Sequence, residues 1–230
     1  MLRKKLQVVA IFATILTVGY VFVHSKFQNE VESFDLAFGA IAQSSDDNSE
    51  DPFSTVAVNE MALGSEDAPL TVIEYASFTC PHCASFHQEA YKKLKKTYID
   101  TGKIKFVFRE VYFDKYGVWA SLVARCAGPE KFFGMTDLLL SSQRTWARAG
   151  SDLASANELR KLALLAGMEE DNVERCLSDG NKIKALVAWY RENATKDKIQ
   201  STPSFIIDGE LYKNMDYEKF VEILDLKLGS

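Results

Sequence analysis

The sequence is poor in histidine, with three in 230 residues, and this leaves little material for a multi-histidine metal site. Proline (5) and glycine (12) are too sparse for a collagen-like or low-complexity chain. Four cysteines are too few for a scaffold held together by disulfides alone. Positive charge is not in excess: the formal net charge is −5, so there is no electrostatic footprint for nucleic acid. Internal repeats are also missing. What is present is a 47% hydrophobic, 12% aromatic chain, enough to build one domain of roughly 100–200 residues plus extra segments.

The N-terminus reads as a targeting segment. Arg3, Lys4 and Lys5 precede an 18-residue run from Leu6 to Val23 that is nearly all apolar. Its length lies between a signal-peptide core of about 7–15 residues and a membrane-spanning helix of about 20. Residues 1–25 are therefore expected to be a signal peptide or a membrane anchor, with cleavage left open. Val23-His24-Ser25 is a weak small-residue site, and Ala40-Ile41-Ala42 lies far beyond the apolar run. The positive flank would keep this end in the cytoplasm and send the rest across the membrane. Residues 26–55 read as a flexible acidic linker, since Gln43 to Pro52 is too polar to offset its ordering entropy.

The folded part is expected over 56–228. Val56 to Met61 reads as an edge strand turned at Leu63-Gly64, and Leu70 to Tyr75 as a buried strand. A helix is predicted from Pro81 to Asp100, with proline favourable in its first turn, followed by a strand from Lys103 to Arg109. That makes a βαβ unit. A helical stretch follows. Trp119, Leu122, Val123 and Cys126 share one helix face that stops at Gly128-Pro129. Ser155 with Glu158 reads as a capping box for a helix to Ala166. Val173, Cys176 and Leu177 mark a short helix, and Ile183, Leu186, Val187 and Tyr190 a longer one. Then come a strand from Ser204 to Ile207, a hairpin turn at Asp208-Gly209, a return strand at Leu211-Tyr212, and a helix opened by Asp216.

Cys80-Pro81-His82-Cys83 falls at the junction of a strand and a helix. There the unpaired N–H groups and the helix dipole favour an anion, so a Cys80 thiolate is stabilised. Cys83, one turn on, can close back on it. One exposed low-pKa thiol with a second thiol nearby is what a redox couple needs. The competing readings are a static staple and a zinc knuckle using His82 or His87. Zinc sites usually pair two such motifs, and no second C-x-x-C exists here. His87 reads on its own as a surface or boundary residue.

The stretch Val72 to Cys83 (VIEYASFTCPHC) resembles the active-site segment of the DsbA-type thiol:disulfide oxidoreductases of the thioredoxin superfamily. The resemblance extends over about residues 60–225. It implies an α/β thioredoxin fold, βαβ plus ββα, with a helical insert at about 113–199. By the same resemblance Cys80 is the attacking cysteine, Cys83 the resolving one, and His82 the thiolate-stabilising histidine. Glu74 matches a buried acid assisting proton transfer. Thr202-Pro203 matches a cis-proline loop that, with Pro81, faces substrate. Valine is frequent before that proline in the best-known members, so Thr202 is a departure that bears on redox potential. The implied activity is insertion of disulfides into reduced, unfolded exported polypeptides in the periplasm. Reoxidation would fall to a membrane quinone-linked protein. No cofactor, no metal and no nucleic acid are expected, and membrane contact only through the N-terminal segment. A monomer is expected, because the linker is too polar to be a dimerisation domain. The alternatives are an isomerase or reductase on the same scaffold, or a non-catalytic peptide-binding module.

Cys126 and Cys176 each sit on the apolar face of a predicted helix. In an exported domain two such leftover cysteines suggest a structural disulfide. Two reduced, buried small side chains are the alternative.

Overall fold

The structure, a computed structural model, describes residues 57–229. The targeting segment and the whole of the linker read from the sequence lie outside the described residues. Among the described residues no helix is long and apolar enough to cross a membrane.

Five strands form one mixed sheet in the order β1-β3-β2-β4-β5. They are β1 (Met61–Leu63), β2 (Leu70–Ala76), β3 (Ile104–Glu110), β4 (Ser204–Ile207) and β5 (Glu210–Lys213). β2 and β3 run parallel, joined by the helical run that opens at Pro81, and the other neighbours are antiparallel. Strand β2 is central, with β3 on one side and β4 on the other. Its alternate residues therefore face opposite sides of the sheet. Leu70 and Val72 share a face with Ile104 and Phe106 of β3 and with Phe205 and Ile207 of β4. Against that face pack α1 (Pro81–Phe86) with its continuation and α8 (Tyr217–Leu228), through Phe86, Leu94, Phe220 and Leu224. Each such fully buried Leu or Phe contributes roughly 1.5–3 kcal/mol relative to exposure.

Between β3 and β4 the chain is helical: α2 (Lys115–Cys126), α3 (Pro129–Ser141), α4 (Gln143–Trp146), α5 (Asp152–Leu165), α6 (Glu170–Leu177) and α7 (Gly180–Lys196). Their own core holds Leu122, Phe132, Met135, Leu139, Trp146, Leu159 and Leu186. Cys126 and Cys176 are joined as a disulfide, with Cα atoms 6.2 Å apart, tying α2 to α6 across 50 residues.

Several local expectations are corrected. Among the described residues the edge strand runs from Met61 to Leu63, and residues 57–60 precede it without strand pairing. The residues before it use their polar groups elsewhere: the Asn59 carbonyl accepts from Arg125, and the Glu60 carboxylate from Arg109. Gly64 makes the turn at φ 103°, where a Cβ would stand 2.7 Å from the Ile104 carbonyl oxygen. The helix from Pro81 is not uniform α. After Phe86 it passes through a π-helical turn (His87–Tyr91), one α turn (Lys92–Leu94) and a second π turn (Lys95–Ile99). Helix α5 starts one turn earlier than the capping box suggests. Ser151 is its N-cap, accepting from the Ala154 N–H at 3.2 Å, while Ser155 is buried inside the helix. Helices α3 and α4 were not individually legible, because Gly128-Pro129 reads as a stop. It is also a start: Pro129 occupies the first turn of α3, where its missing N–H costs nothing.

Candidate active site: a dithiol at a strand–helix junction

Cys80 is the N-cap residue of α1, in extended backbone conformation, with Pro81 in the first turn. The chain enters it from β2 through a tight turn in which the Cys80 N–H donates to the Ser77 carbonyl at 3.1 Å. The Cys80 carbonyl accepts the first intrahelical bond, from the Ala84 N–H at 3.2 Å. Thr79 steadies the turn by donating its hydroxyl to the Asp114 carboxylate at 2.8 Å, and Asp114 in turn caps α2 through the Gly117 N–H.

The two thiols are free and both are buried, so the expectation of an exposed attacking thiol is corrected: Cys80 is 8% exposed and Cys83 not at all, and their surroundings differ. The Cys80 thiol is held low, at about 5, chiefly by a hydrogen bond from the Cys83 thiol. Burial opposes this, and Thr202 and the backbone N–H groups of Cys83 and His82 add to it. The Thr202 hydroxyl is buried and has no hydrogen-bond partner among the described residues. Cys83 is fully buried, and burial pushes its thiol well above the ordinary range. The pair is thus asymmetric: one sulfur is stabilised as an anion and its neighbour is kept protonated.

The Thr202-Pro203 peptide bond is cis, and the Thr202 carbonyl lies 3.4 Å from the Cys80 sulfur, accepting from it. So the loop 122 residues downstream meets the cysteine directly. His82 is exposed, and its backbone N–H is the group that reaches Cys80. Beside His82 opens a cleft of about 340 Å³ lined by Phe86, Lys93, Met215 and Tyr217 among others. Among the described residues no group of three or more His, Cys, Asp or Glu side chains is placed to hold a metal ion.

Glu74 is completely buried on the face of β2 that looks at α1. Its Oε2 lies 2.8 Å from the Nε2 of His87, which is 1% exposed. The reading of His87 as a surface or boundary residue is therefore overturned. Its ring packs among Phe86, Tyr91 and Phe108, with the Tyr91 ring centroid 4.5 Å away. The i, i+4 spacing from Cys83 was the available signal, since it places both residues on one side of a helix.

Gln143, from α4, was also missed. Its side-chain amide donates to the carbonyls of Phe78 at 2.8 Å and Cys80 at 2.9 Å. Nothing in the local sequence marks it, because its significance lies wholly in where α4 docks.

Residues 56–226 match the family profile described as thioredoxin. A Rickettsia bellii protein, whose name assigns it provisionally to the protein-disulfide oxidoreductases, is 34% identical over 172 residues, covering 73% of this chain and 64% of its own length. The chain thus spans less than two thirds of that relative. Disulfide bond formation protein D of Bacillus subtilis is 26% identical over 180 residues, covering 72% of this chain and 76% of its own. Among solved structures, α-DsbA1 of Wolbachia pipientis superposes with a TM-score of 0.68 at 28% identity, covering 76% of this chain and 93% of its own.

Proposed function

The chain belongs to the thioredoxin family, in its DsbA-like branch, and we propose that it is a dithiol-disulfide oxidoreductase acting through Cys80 and Cys83. The observation that carries this reading is the asymmetry of the two thiols. Cys80, at a helix N-terminus, is held low at about 5, while Cys83 is buried and held high. In the forward reaction a substrate thiolate attacks Cys80 of the Cys80–Cys83 disulfide. The S–S bond breaks, its electron pair passes to Cys83, and a mixed disulfide forms. A second substrate thiolate attacks the substrate sulfur of that mixed disulfide and expels the Cys80 thiolate. The substrate gains a disulfide and the pair is left reduced. A well-stabilised leaving thiolate favours this direction.

The same proposal covers the remaining site residues. Pro81, Thr202 and Pro203 border Cys80, where an extended substrate segment can meet the loop backbone. His82 stabilises the thiolate. Glu74 serves proton movement at Cys83, supported by its burial and by its charge acting on that thiol. The Cys126–Cys176 disulfide is structural, supported by its position between two insert helices away from the strand–helix junction. The apolar Leu6 to Val23 run after three cations supports export to the periplasm. Reduced, unfolded exported polypeptides are then the substrates, a membrane quinone-linked protein the reoxidant, and the chain works as a monomer.

The second reading is an isomerase or reductase on the same scaffold, favoured by threonine at position 202, whose carbonyl meets the Cys80 sulfur. Equilibrating the full-length protein with glutathione buffers and supplying it with a reduced, unfolded substrate separates the readings. An oxidising potential with disulfide insertion supports the oxidase. A thioredoxin-like potential selects the reductase. Failure to oxidise the substrate at all would leave a non-catalytic peptide-binding module.

A further inference from the structure

Glu74 and His87 form a polar pair enclosed by the aromatic core, with exposures of 0% and 1%. Burying two such groups is costly unless they satisfy one another. They do so through one contact only, Glu74 Oε2 to His87 Nε2 at 2.8 Å. Glu74 Oε1 and His87 Nδ1 are both buried without a hydrogen-bond partner among the described residues. A pair left with one unpartnered polar atom on each side has a place for one further proton, which a purely structural pair does not need.

The pair lies beside the dithiol. His87 follows Cys83 by four residues in the same helical run, and the Glu74 charge acts directly on the Cys83 sulfur. The other titratable groups nearby are Cys80 and Tyr91. Tyr91 packs on the His87 ring and feels the charges of Glu74, of Asp137 in α3 and of Asp100. Phe108 of β3 and Phe205 of β4, the cross-strand neighbours of Glu74, bring no charge to it. Burial pushes the Cys83 thiol upward, so a thiolate released there demands a proton, and no solvent reaches it.

We propose that His87 is a positioning residue of the dithiol chemistry: it holds the Glu74 carboxyl through Oε2 and shares with it the proton that Cys83 takes up when the Cys80–Cys83 disulfide opens. This rests on the reading of Cys80 and Cys83 as a redox pair. An external thiolate attacks the Cys80 sulfur, the S–S bond breaks, and the electron pair goes to Cys83. The proton held by the Glu74–His87 pair moves to the Cys83 sulfur. Glu74 is left as a carboxylate accepting from the His87 Nε2–H. When the disulfide re-forms, the proton returns to the pair as Cys83 gives up its S–H.

The test is single-turnover reduction of the Cys80–Cys83 disulfide by dithiothreitol in the full-length protein, quenched and alkylated across a pH series. Wild type is compared with His87→Leu and His87→Gln, the latter keeping a donor for Glu74 but unable to share its proton. His87→Leu should slow the step by roughly 10²-fold, the low end for positioned proton transfer, and remove an inflection from the pH profile. His87→Gln should recover part of the rate but not the inflection. If a variant fails to fold, the wild-type His87 ring ¹⁵N shifts decide. They should differ between oxidised and reduced protein, and Glu74→Gln should abolish the difference. An inflection retained in both variants, or identical ring shifts in the two redox states, would overturn the proposal. The assay needs only a small dithiol. A protein that passes it but oxidises no unfolded polypeptide therefore refutes the proposed function and leaves this inference standing.

Discussion

The side-chain amide of Gln143 bridges the carbonyls of Phe78 and Cys80, at 2.8 and 2.9 Å, from 63 residues beyond the cysteine. It is the polar clamp by which the helical insert holds the strand–helix junction. Gln143→Leu keeps an apolar volume but leaves these carbonyls without that donor in a buried place. It should cost about 1–3 kcal/mol of stability. It should also raise the Cys80 thiol above about 5, by loosening the turn that aims the sulfur. Thermal melts and thiolate absorbance against pH check both. A variant with a lowered melting temperature but an unmoved titration would reduce Gln143 to a packing role.

The Cys83 thiol is the largest influence lowering Cys80. Cys83→Ala should therefore raise the Cys80 titration midpoint clearly. His82→Ala removes the imidazole but leaves the backbone N–H that reaches the sulfur, so it should raise the midpoint by less. The same absorbance titration ranks the two, and the reverse order would place the imidazole above the neighbouring thiol.

Stability of the reduced protein should depend on pH in a way the oxidised protein's does not. The folded Cys80 thiol titrates near 5, below the unfolded value of about 8.5. In that window the unfolded chain binds the extra proton, so stability rises with pH. The contribution is complete above the unfolded value and is lost as pH falls through 5. Cys83 has the opposite sign. Its folded thiol is raised, so its contribution is present below the unfolded value and fades at more alkaline pH. The difference in melting temperature, reduced minus oxidised, should climb from pH 5 to about 8 and then turn over. A flat difference would mean that Cys80 is not depressed.

The Cys126–Cys176 disulfide should be separable from turnover. Neither cysteine is a helix N-cap, and the bond closes a separation of 50 residues between α2 and α6. Replacing both by alanine should cost up to roughly 4 kcal/mol on the chain-entropy model. The oxidation rate of a reduced peptide should stay close to wild type. Loss of turnover at unchanged stability would instead point to electron exchange between the two cysteine pairs.

Much of this was legible in the chain itself. Local chemistry set the strand–turn–helix around Cys80, because β-rich Leu70 to Tyr75 runs into a cysteine followed by proline. The hairpin at Asp208-Gly209 was equally local, since both residues adopt positive φ, at 50° and 77°. So was the last helix, capped by Asp216 through the Lys219 N–H at 2.8 Å. Signals carried within a few residues of sequence are strong when backbone geometry demands particular side chains.

The sequence by itself determined the reactive pair and the element order apart from α3 and α4, because cysteine spacing, strand propensity and caps act over one or two turns. Tertiary structure alone turned His87 from a boundary residue into the partner of Glu74, the acid whose burial the resemblance implied. It brought the Thr202 loop to Cys80, as the resemblance implied, and it alone brought Gln143 there, from 122 and 63 residues away. Those contacts depend on how β4 pairs with β2 and how α4 docks against the junction. Such long-range packing leaves no period or motif in the segments that make it.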